Sequence, residues 1–386
     1  MIERKPEVVG KFLQKIRLLS PLIEEHRAAF DRDRRMPKPV FDALAECDLM
    51  RLWVPESLGG PELSPLDFIE LVEAASELEA SVGWIIGNGA GMSRAAGYFP
   101  AEVSRVLFAD RRSFVVAATG GVGAATRESG GFRISGRWPF ASGIHYASKV
   151  MALCSAPPLS GEGEPELICC YVEPSDITII DTWQVSGLRG TGSCDFEIRD
   201  RFVPGEHVHD FLNLQPAQAG LLYRIPAVSI FATSISAVPL GIARSAVSAF
   251  TKLAGGKVRL GTKVALGERE VIQDQVGRAD AILRAARAGL HDALSELIAA
   301  IDDGGERLIR ARANFRSSVS HAAESAVRVV EMMTSAAGAA AIFETCGLER
   351  CSRDVNAAVK HIAMSPNNYL VAGRVRLGLS PGTSRF

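Results

Sequence analysis

From Val8 to about Arg112, apolar residues recur three and four positions apart in VVGKFLQKIRLLSPLI, VFDALAECDLM and LDFIELVEAASELEA, the period of helices with one buried face. In the break WVPESLGGPELSPLDF, Pro55, Gly59, Gly60 and Pro61 mark a turn, and Ser64-Pro65 offers a cap and first position for the next helix. The run SVGWIIGNGAGMSRAAGYF is dominated by small residues, which let a backbone approach another helix or a flat ligand. Near Ser113 the period changes. SFVVAAT, GGFRISGRWPF, ASKVMALCSA, ELICCYVEP, ITIIDTWQV and CDFEIRDRFVP are short β-branched or aromatic runs punctuated by Gly, Pro and Ser, and they predict an antiparallel β domain. After Gln218, Ala-rich helical runs at 228–254, 268–302, 305–337 and 349–362 predict a bundle. The division expected is a helical domain over 1–112, a β domain over 113–215 and a helical bundle over 216–386, with Ala-rich faces suited to a homo-oligomer.

Composition narrows the class. The chain has 386 residues, 47% hydrophobic and 23% charged, the profile of a soluble globular protein able to bury a large core. Its formal net charge of −1 offers no overall field for nucleic acid or anionic lipid, so neither is expected as a partner. Seven cysteines without a CxxC pair point to reduced thiols in a cytoplasm and to no metal site or disulfide framework. The opening MIERKPEVVGKFLQKIRLL has no apolar core of a secretory signal. Ile225 to Ala243 carries no charge, but two prolines, three serines and a threonine interrupt it, so a buried bundle helix is expected rather than a membrane span.

Several segments carry candidate chemistry. TGGVGAA, from Thr119 to Ala125, follows a strand and precedes another strand, so it is no dinucleotide fingerprint; it is either a hairpin connection or a loop whose N–H groups face a cofactor. In GRWPFASGIHYAS, alternation puts Trp138, Phe140 and Ser142 on one strand face, which suits either a half-buried strand or the seat of a planar heterocycle. His361 closes a helical pattern before Ser365-Pro366, as a helix-dipole partner or as a general acid or base. His207 and His209 lack a third ligand and are weak evidence for metal. No Asp or Glu occurs between Asp210 and Glu268, so no carboxylate base comes from the first bundle helix.

Taken in order, VPESLGG, ISGRWPFASG, VSGLRGTGSCDFEIRDRFVP and LERCSRDVNAAVKH resemble the acyl-CoA dehydrogenase superfamily over nearly the whole chain. The resemblance implies an α+β fold: an N-terminal helical domain, a central antiparallel β-barrel domain and a C-terminal four-helix bundle. It also implies a flavin between sheet and bundle, and a homotetramer. In the dehydrogenases of this family a Glu before a C-terminal Gly-Thr is the base. Here the stretch is Leu379-Ser380-Pro381-Gly382-Thr383, and the alternative Glu position before Pro239-Leu240-Gly241 is Phe231. Neither residue accepts a proton.

The FASG and RDVNAAVKHIAMSP segments are instead similar to the flavin-dependent monooxygenase branch, the oxygenase components of two-component systems. The resemblance then implies reduced FMN or FAD from a separate NAD(P)H:flavin reductase, O2 as co-substrate, a C4a-(hydro)peroxyflavin and a small, aromatic or heterocyclic substrate. By position, Ser142 and His361 are the catalytic candidates. Ser142 would meet flavin near N5 or O4, and His361 would face the oxygen adduct and substrate. Trp138 and Phe140 would wall the ring, Arg189 to Ser193 would line the cavity edge, and Thr119 and Gly123 complete the cofactor-binding candidates. The alternative is an FAD-dependent acyl-CoA dehydrogenase-like oxidoreductase or oxidase with a non-standard base.

Overall fold

The computed structural model describes residues 4–158, 163–258, 263–383 and 386. Seven helices come first: α1 (Pro6–Leu18), α2 (Ser20–Glu25), α3 (Arg27–Arg32), α4 (Lys38–Glu46), α5 (Pro65–Leu78), α6 (Ala80–Met92) and α7 (Ala101–Phe108). Helix α5 starts where its sequence dictates, with Ser64 Oγ accepting the Asp67 N–H at 3.1 Å and Pro65 in the first turn. Glycines at four-residue spacing let α6 press onto its neighbours. A Cβ on Gly83 would lie 1.8 Å from Ser76 Oγ of α5, and one on Gly87 would lie 2.4 Å from the Ser234 carbonyl oxygen.

Seven strands follow: β1 (Val115–Glu128), β2 (Gly131–Ala141), β3 (Lys149–Ala156), β4 (Glu166–Val172), β5 (Thr178–Ile180), β6 (Cys194–Pro204) and β7 (Val208–Asp210). They form one sheet in the order β5-β6-β2-β1-β3-β4-β7. The expectation of an antiparallel barrel needs one correction, because β1 and β3 pair in parallel, Val115 opposite Lys149, and the sheet is mixed. The cause is the crossing at Ser142 to Ser148. It carries the chain from the end of β2, which is itself paired on both sides, back to the start of β1.

The Gly-rich stretch is likewise corrected. It is neither a hairpin connection nor a loop but the middle of β1, where the register with β3 shifts between Ala118 and Gly123. The β1–β2 turn comes later, at Gly130 with φ +80°.

The last part is helical: α8 (Leu221–Arg224), α9 (Ala227–Ile235), α10 (Val238–Gly256), α11 (Glu270–Ala300), α12 (Gly305–Ala337), α13 (Gly347–Ala358) and α14 (Asn367–Arg376). The single helix expected over 228–254 is broken at Ser236–Ala237, with Pro239 in the first turn of α10. Helices α10, α11, α12 and α13 pack around a core of alanines and branched aliphatics, and α10 also packs on α5, which joins the bundle to the N-terminal helices. The apolar run from Ala227 to Gly256 is long enough to cross a membrane, yet 83% of its most apolar window is buried inside the protein. The sequence pattern did not reveal α14.

Candidate active site

Three elements meet around a short chain of hydroxyls. Trp84, in the middle of α6, donates its Nε1–H to Ser142 Oγ at 3.0 Å. Ser142 Oγ lies 2.8 Å from Ser193 Oγ, which lies 2.7 Å from Thr191 Oγ1. Thr191 Oγ1 in turn donates to the Leu188 carbonyl at 2.8 Å. All three hydroxyls are buried. A hydroxyl has one proton, so the order of donation is fixed. The Thr191 proton is committed to Leu188, so Ser193 must donate to Thr191, and Ser142 must donate to Ser193. Ser142 therefore receives one hydrogen bond and gives one, and what its oxygen has left is a lone pair.

The segment holding Thr191 and Ser193 is shaped from the bundle side. Leu188 sits in the left-handed region at φ +52°, and its N–H donates to Asp354 Oδ1 of α13 at 2.7 Å. Asp354 is fully enclosed. Burial first, then the nearby Glu79 charge, push its carboxyl up to about 7. Around it, Arg350 bonds Asp31 at 2.7 Å and also Glu79, while Arg353 reaches Asp31 at 3.2 Å. Arg189, half-buried, turns its Nε to the Asp31 carbonyl at 3.1 Å, so it fastens the loop to α3.

His361 stands where α13 gives way to the short turn Ile362–Met364. Its Nδ1 accepts the Ala363 N–H at 3.2 Å, and its ring meets Trp84 edge-on with centroids 5.7 Å apart. Burial lowers its pKa to about 4, so the imidazole is neutral at pH 7. With Nδ1 engaged as an acceptor, the proton sits on Nε2, and the ring is a hydrogen-bond donor there. The turn is pinned by buried Asn368, whose Nδ2 donates to Ser320 Oγ and to the Ala363 carbonyl, both at 2.9 Å.

Ser142, Ser193 and Thr191 are thus brought together, with His361 joined to them through Trp84. The other expected residues divide. Trp138 is corrected: its indole is fully buried, stacked on Phe196 at 5.1 Å and donating to the Leu153 carbonyl, so it is core and walls no site. Gly123 is corrected with it, because a Cβ there would lie 2.2 Å from the Trp138 ring, and close packing accounts for the glycine. Thr119 is half-buried on β1.

Phe140 does differ from Trp138, despite the alternation that grouped them. Its backbone has φ +64°, pairing with β6 is irregular between Trp138 and Ala141, and its ring is 65% exposed, edge-on to Trp183. An exposed aromatic on a strained backbone, two residues from a lone pair held by a hydroxyl relay, fits a flat heterocycle with a polar edge. The residues present therefore fit a flavin.

Trp84 and Asp354 were not singled out by the sequence reading. Nor was a second cavity of about 30 Å³ beyond the other end of α6, lined by Met92, Arg94, Tyr98, Tyr171, His209 and Phe231 among others. Phe231 stacks on Phe211 there at 5.9 Å. Pro381 lies elsewhere, in a cleft with Glu306 and Arg310. Both positions where a dehydrogenase of the resembled family would place its base are apolar.

Residues 16–98 match the model of the acyl-CoA dehydrogenase N-terminal domain, and residues 233–366 match that of the acyl-CoA dehydrogenase C-terminal domain. An indole-3-acetate monooxygenase of Pseudomonas putida is 30% identical over 91% of this chain and 90% of its own length. The chain belongs to the acyl-CoA dehydrogenase superfamily, in its flavin-dependent monooxygenase branch. Within that branch, the flavin-dependent monooxygenase oxygenase subunit HsaA of Mycobacterium tuberculosis is 26% identical over 94% of both chains. The crystal structure of a 3-HSA hydroxylase from Rhodococcus sp. RHA1 superimposes with a TM-score of 0.90 at 25% identity, covering 97% of this chain and 99% of the other. The superfamily fold thus places the hydroxyl relay and His361 where sheet, α6 and bundle converge.

Proposed function

We propose that this protein is the oxygenase component of a two-component flavin-dependent monooxygenase, taking reduced FMN or FAD from a separate NAD(P)H:flavin reductase and oxygenating a small aromatic or heterocyclic substrate. The observation that carries the reading is the one-way relay from Ser142 through Ser193 and Thr191 to Leu188. Reduced flavin, when bound, supplies the two electrons that divide O2 between substrate and water. Its N5 bears a hydrogen, which the oxidised ring lacks. Ser142, with its own proton committed to Ser193, would accept from such an N–H and help hold the reduced ring. Phe140, exposed on its strained backbone and packed edge-on against Trp183, would offer an aromatic surface to the ring.

His361, neutral and with Nδ1 occupied by the Ala363 N–H, carries its proton on Nε2 and is suited to donate a hydrogen bond rather than to remove a proton. Ser142, Ser193, Thr191 and Trp84 are all buried, so the hydrogen bonds among them act at low dielectric. The apolar side chains at Phe231 and Pro381 support the reading against acyl-CoA desaturation, which needs a carboxylate base.

The test uses purified protein, chemically reduced FMN or FAD and ¹⁸O2, with no reductase, against a panel of aromatic acids, phenols and indoles. One labelled oxygen atom in a product, formed only with protein, supports the proposal. Stoichiometric hydrogen peroxide with no labelled product across the panel, together with desaturation of an acyl thioester by FAD-reconstituted protein, would replace it with the dehydrogenase-like alternative.

A further inference from the structure

Arg94 is the one charged residue between Glu79 and Glu102, and it is 4% exposed in the wall of the second cavity. Its Nε donates to the Leu222 carbonyl at 3.0 Å, and Nη2 donates to the carbonyls of Tyr223 at 3.0 Å and Ile225 at 2.6 Å. Tyr98 covers the guanidinium, its ring centroid 5.1 Å from Cζ. No carboxylate pairs with Arg94 among the described residues, and Nη1 has no hydrogen-bond partner there. Three of five donors are therefore held by neutral backbone, and two on one nitrogen are left.

The remaining wall is neutral at pH 7. His209 is held by burial to a pKa of about 4; its Nδ1–H serves the Asp210 carbonyl at 2.8 Å, and its Nε2 accepts from the Tyr171 hydroxyl at 3.0 Å. Tyr98 is pushed up to about 12 by burial, and its hydroxyl donates to the Tyr223 carbonyl at 2.8 Å. Burial raises Tyr171 and Cys169 as well. The Asp210 carboxylate turns away, to the N–H groups of Leu212 and Asn213. An apolar cavity thus carries one uncompensated positive charge. A buried cation without a counter-ion is costly, and ligand anions are what commonly compensate one at a binding site.

We infer that this cavity binds the carboxylate of an aromatic acid, with Arg94 Nη1 as its anchor. The inference rests on the monooxygenase reading and names the substrate class of that same site. Helix α6 runs between the two places. Trp84 and Met92 lie eight residues apart on one face of α6, about 12 Å along the helix at 1.5 Å per residue. The cavity is lined at the Met92 end of that stretch, so a ligand anchored at Arg94 whose ring extends along the helix would approach Trp84, Ser142 and His361. The two free N–H groups diverge from one nitrogen, so Nη1 meets a carboxylate through a single charge-assisted hydrogen bond to one oxygen, whereas a phosphate dianion needs more donors than the cavity has left. At about 30 Å³ the cavity has room for a carboxylate end but not an aromatic body, so binding requires Phe211, Leu214 or Phe231 to swing aside.

The experiment is equilibrium binding by calorimetry to the whole protein at pH 7, with and without anaerobically reduced FMN. Each acid is compared with its neutral amide: indole-3-acetate with indole-3-acetamide, phenylacetate with phenylacetamide, and benzoate with benzamide. At least one acid should bind tenfold or more tighter than its amide. In Arg94→Met the ratio should fall to about one, and in Arg94→Lys it should be partly kept. Because Arg94 also braces residues 222–225, the wild-type comparison decides the matter even where a variant does not fold. Equal binding of acid and amide in every pair, no binding of either, or an acid preference that survives in folded Arg94→Met would overturn the inference. None of these outcomes depends on turnover, so a failed anion preference is distinguishable from a failed oxygenase reading, which rests on label incorporation.

Discussion

Ser193→Ala tests the direction of the hydroxyl relay. The substitution removes the acceptor of the Ser142 proton and the donor to Thr191, two buried contacts of 2.8 and 2.7 Å. At ~1 kcal/mol net for each hydrogen bond, the fold should lose about 2 kcal/mol. For a chain of this size that lowers Tm by only about 2.5 °C, so the variant should fold. The larger consequence is chemical. In the wild type, Ser142 offers only a lone pair, which suits the N5–H of reduced flavin and opposes the bare N5 of the oxidised ring. One hydrogen bond made against one unmade is ~1–2 kcal/mol, a preference for the reduced form of roughly 5- to 30-fold. Without Ser193 the Ser142 hydroxyl is free to turn its proton toward N5, and the preference should fall toward unity. Anaerobic fluorescence titration of wild type and variant with reduced and with oxidised FMN measures both ratios. A folded Ser193→Ala protein that keeps the wild-type ratio would refute the argument that proton order in the relay sets the preference.

Other expectations follow from the same geometry. His361→Ala should leave Tm within a few degrees, yet sharply reduce labelled product while hydrogen peroxide rises; unchanged coupling of flavin oxidation to product would remove His361 from the chemistry. Asp354→Asn keeps an oxygen to accept the Leu188 N–H, so it should retain both fold and reduced-flavin affinity, whereas Asp354→Ala should lose at least tenfold in that affinity, measured by the same titration. Burial holds His209, His291 and His361 at about 4, below their ordinary 6.5, so unfolding takes up protons between those values. Asp354, raised to about 7, works the other way over the same range, but three histidines outweigh one carboxyl, so stability should show a net decline as pH falls from 6.5 toward 4. Urea melts across that range should show the decline, and His209→Gln should make it shallower.

The fold was largely legible because its periods are long and clean: helical spacing before Ser113 and after Gln218, and strand signals between. The parallel pairing of β1 with β3 was not, since residue types in a half-buried strand do not tell the direction of its neighbour. In the site, Ser142 and His361 stood out because their local segments are distinctive. Trp138 was misplaced for a physical reason. Alternation assigns residues 138, 140 and 142 to one face only while the backbone stays extended, and the positive φ at Phe140 breaks that rule. Trp84 was missed because its partner is 58 positions away, though a lone large aromatic amid Gly and Ala in SVGWIIGNGAG was a usable signal. Arg94 left a plainer one, a single charge in an otherwise uncharged helical stretch.

Leu188 belongs at once to two structures that could part company. Its N–H is held by Asp354 of the bundle, and its carbonyl anchors the hydroxyl relay beside the sheet. The relay's orientation therefore reports on the docking of bundle against sheet, and a partial opening of that seam would disorient Ser142 while every helix and strand stayed intact. On gradual heating, the ability to tell reduced from oxidised flavin should fail at a lower temperature than the far-ultraviolet circular dichroism does. The protein would become an idle flavin binder before it became an unfolded chain.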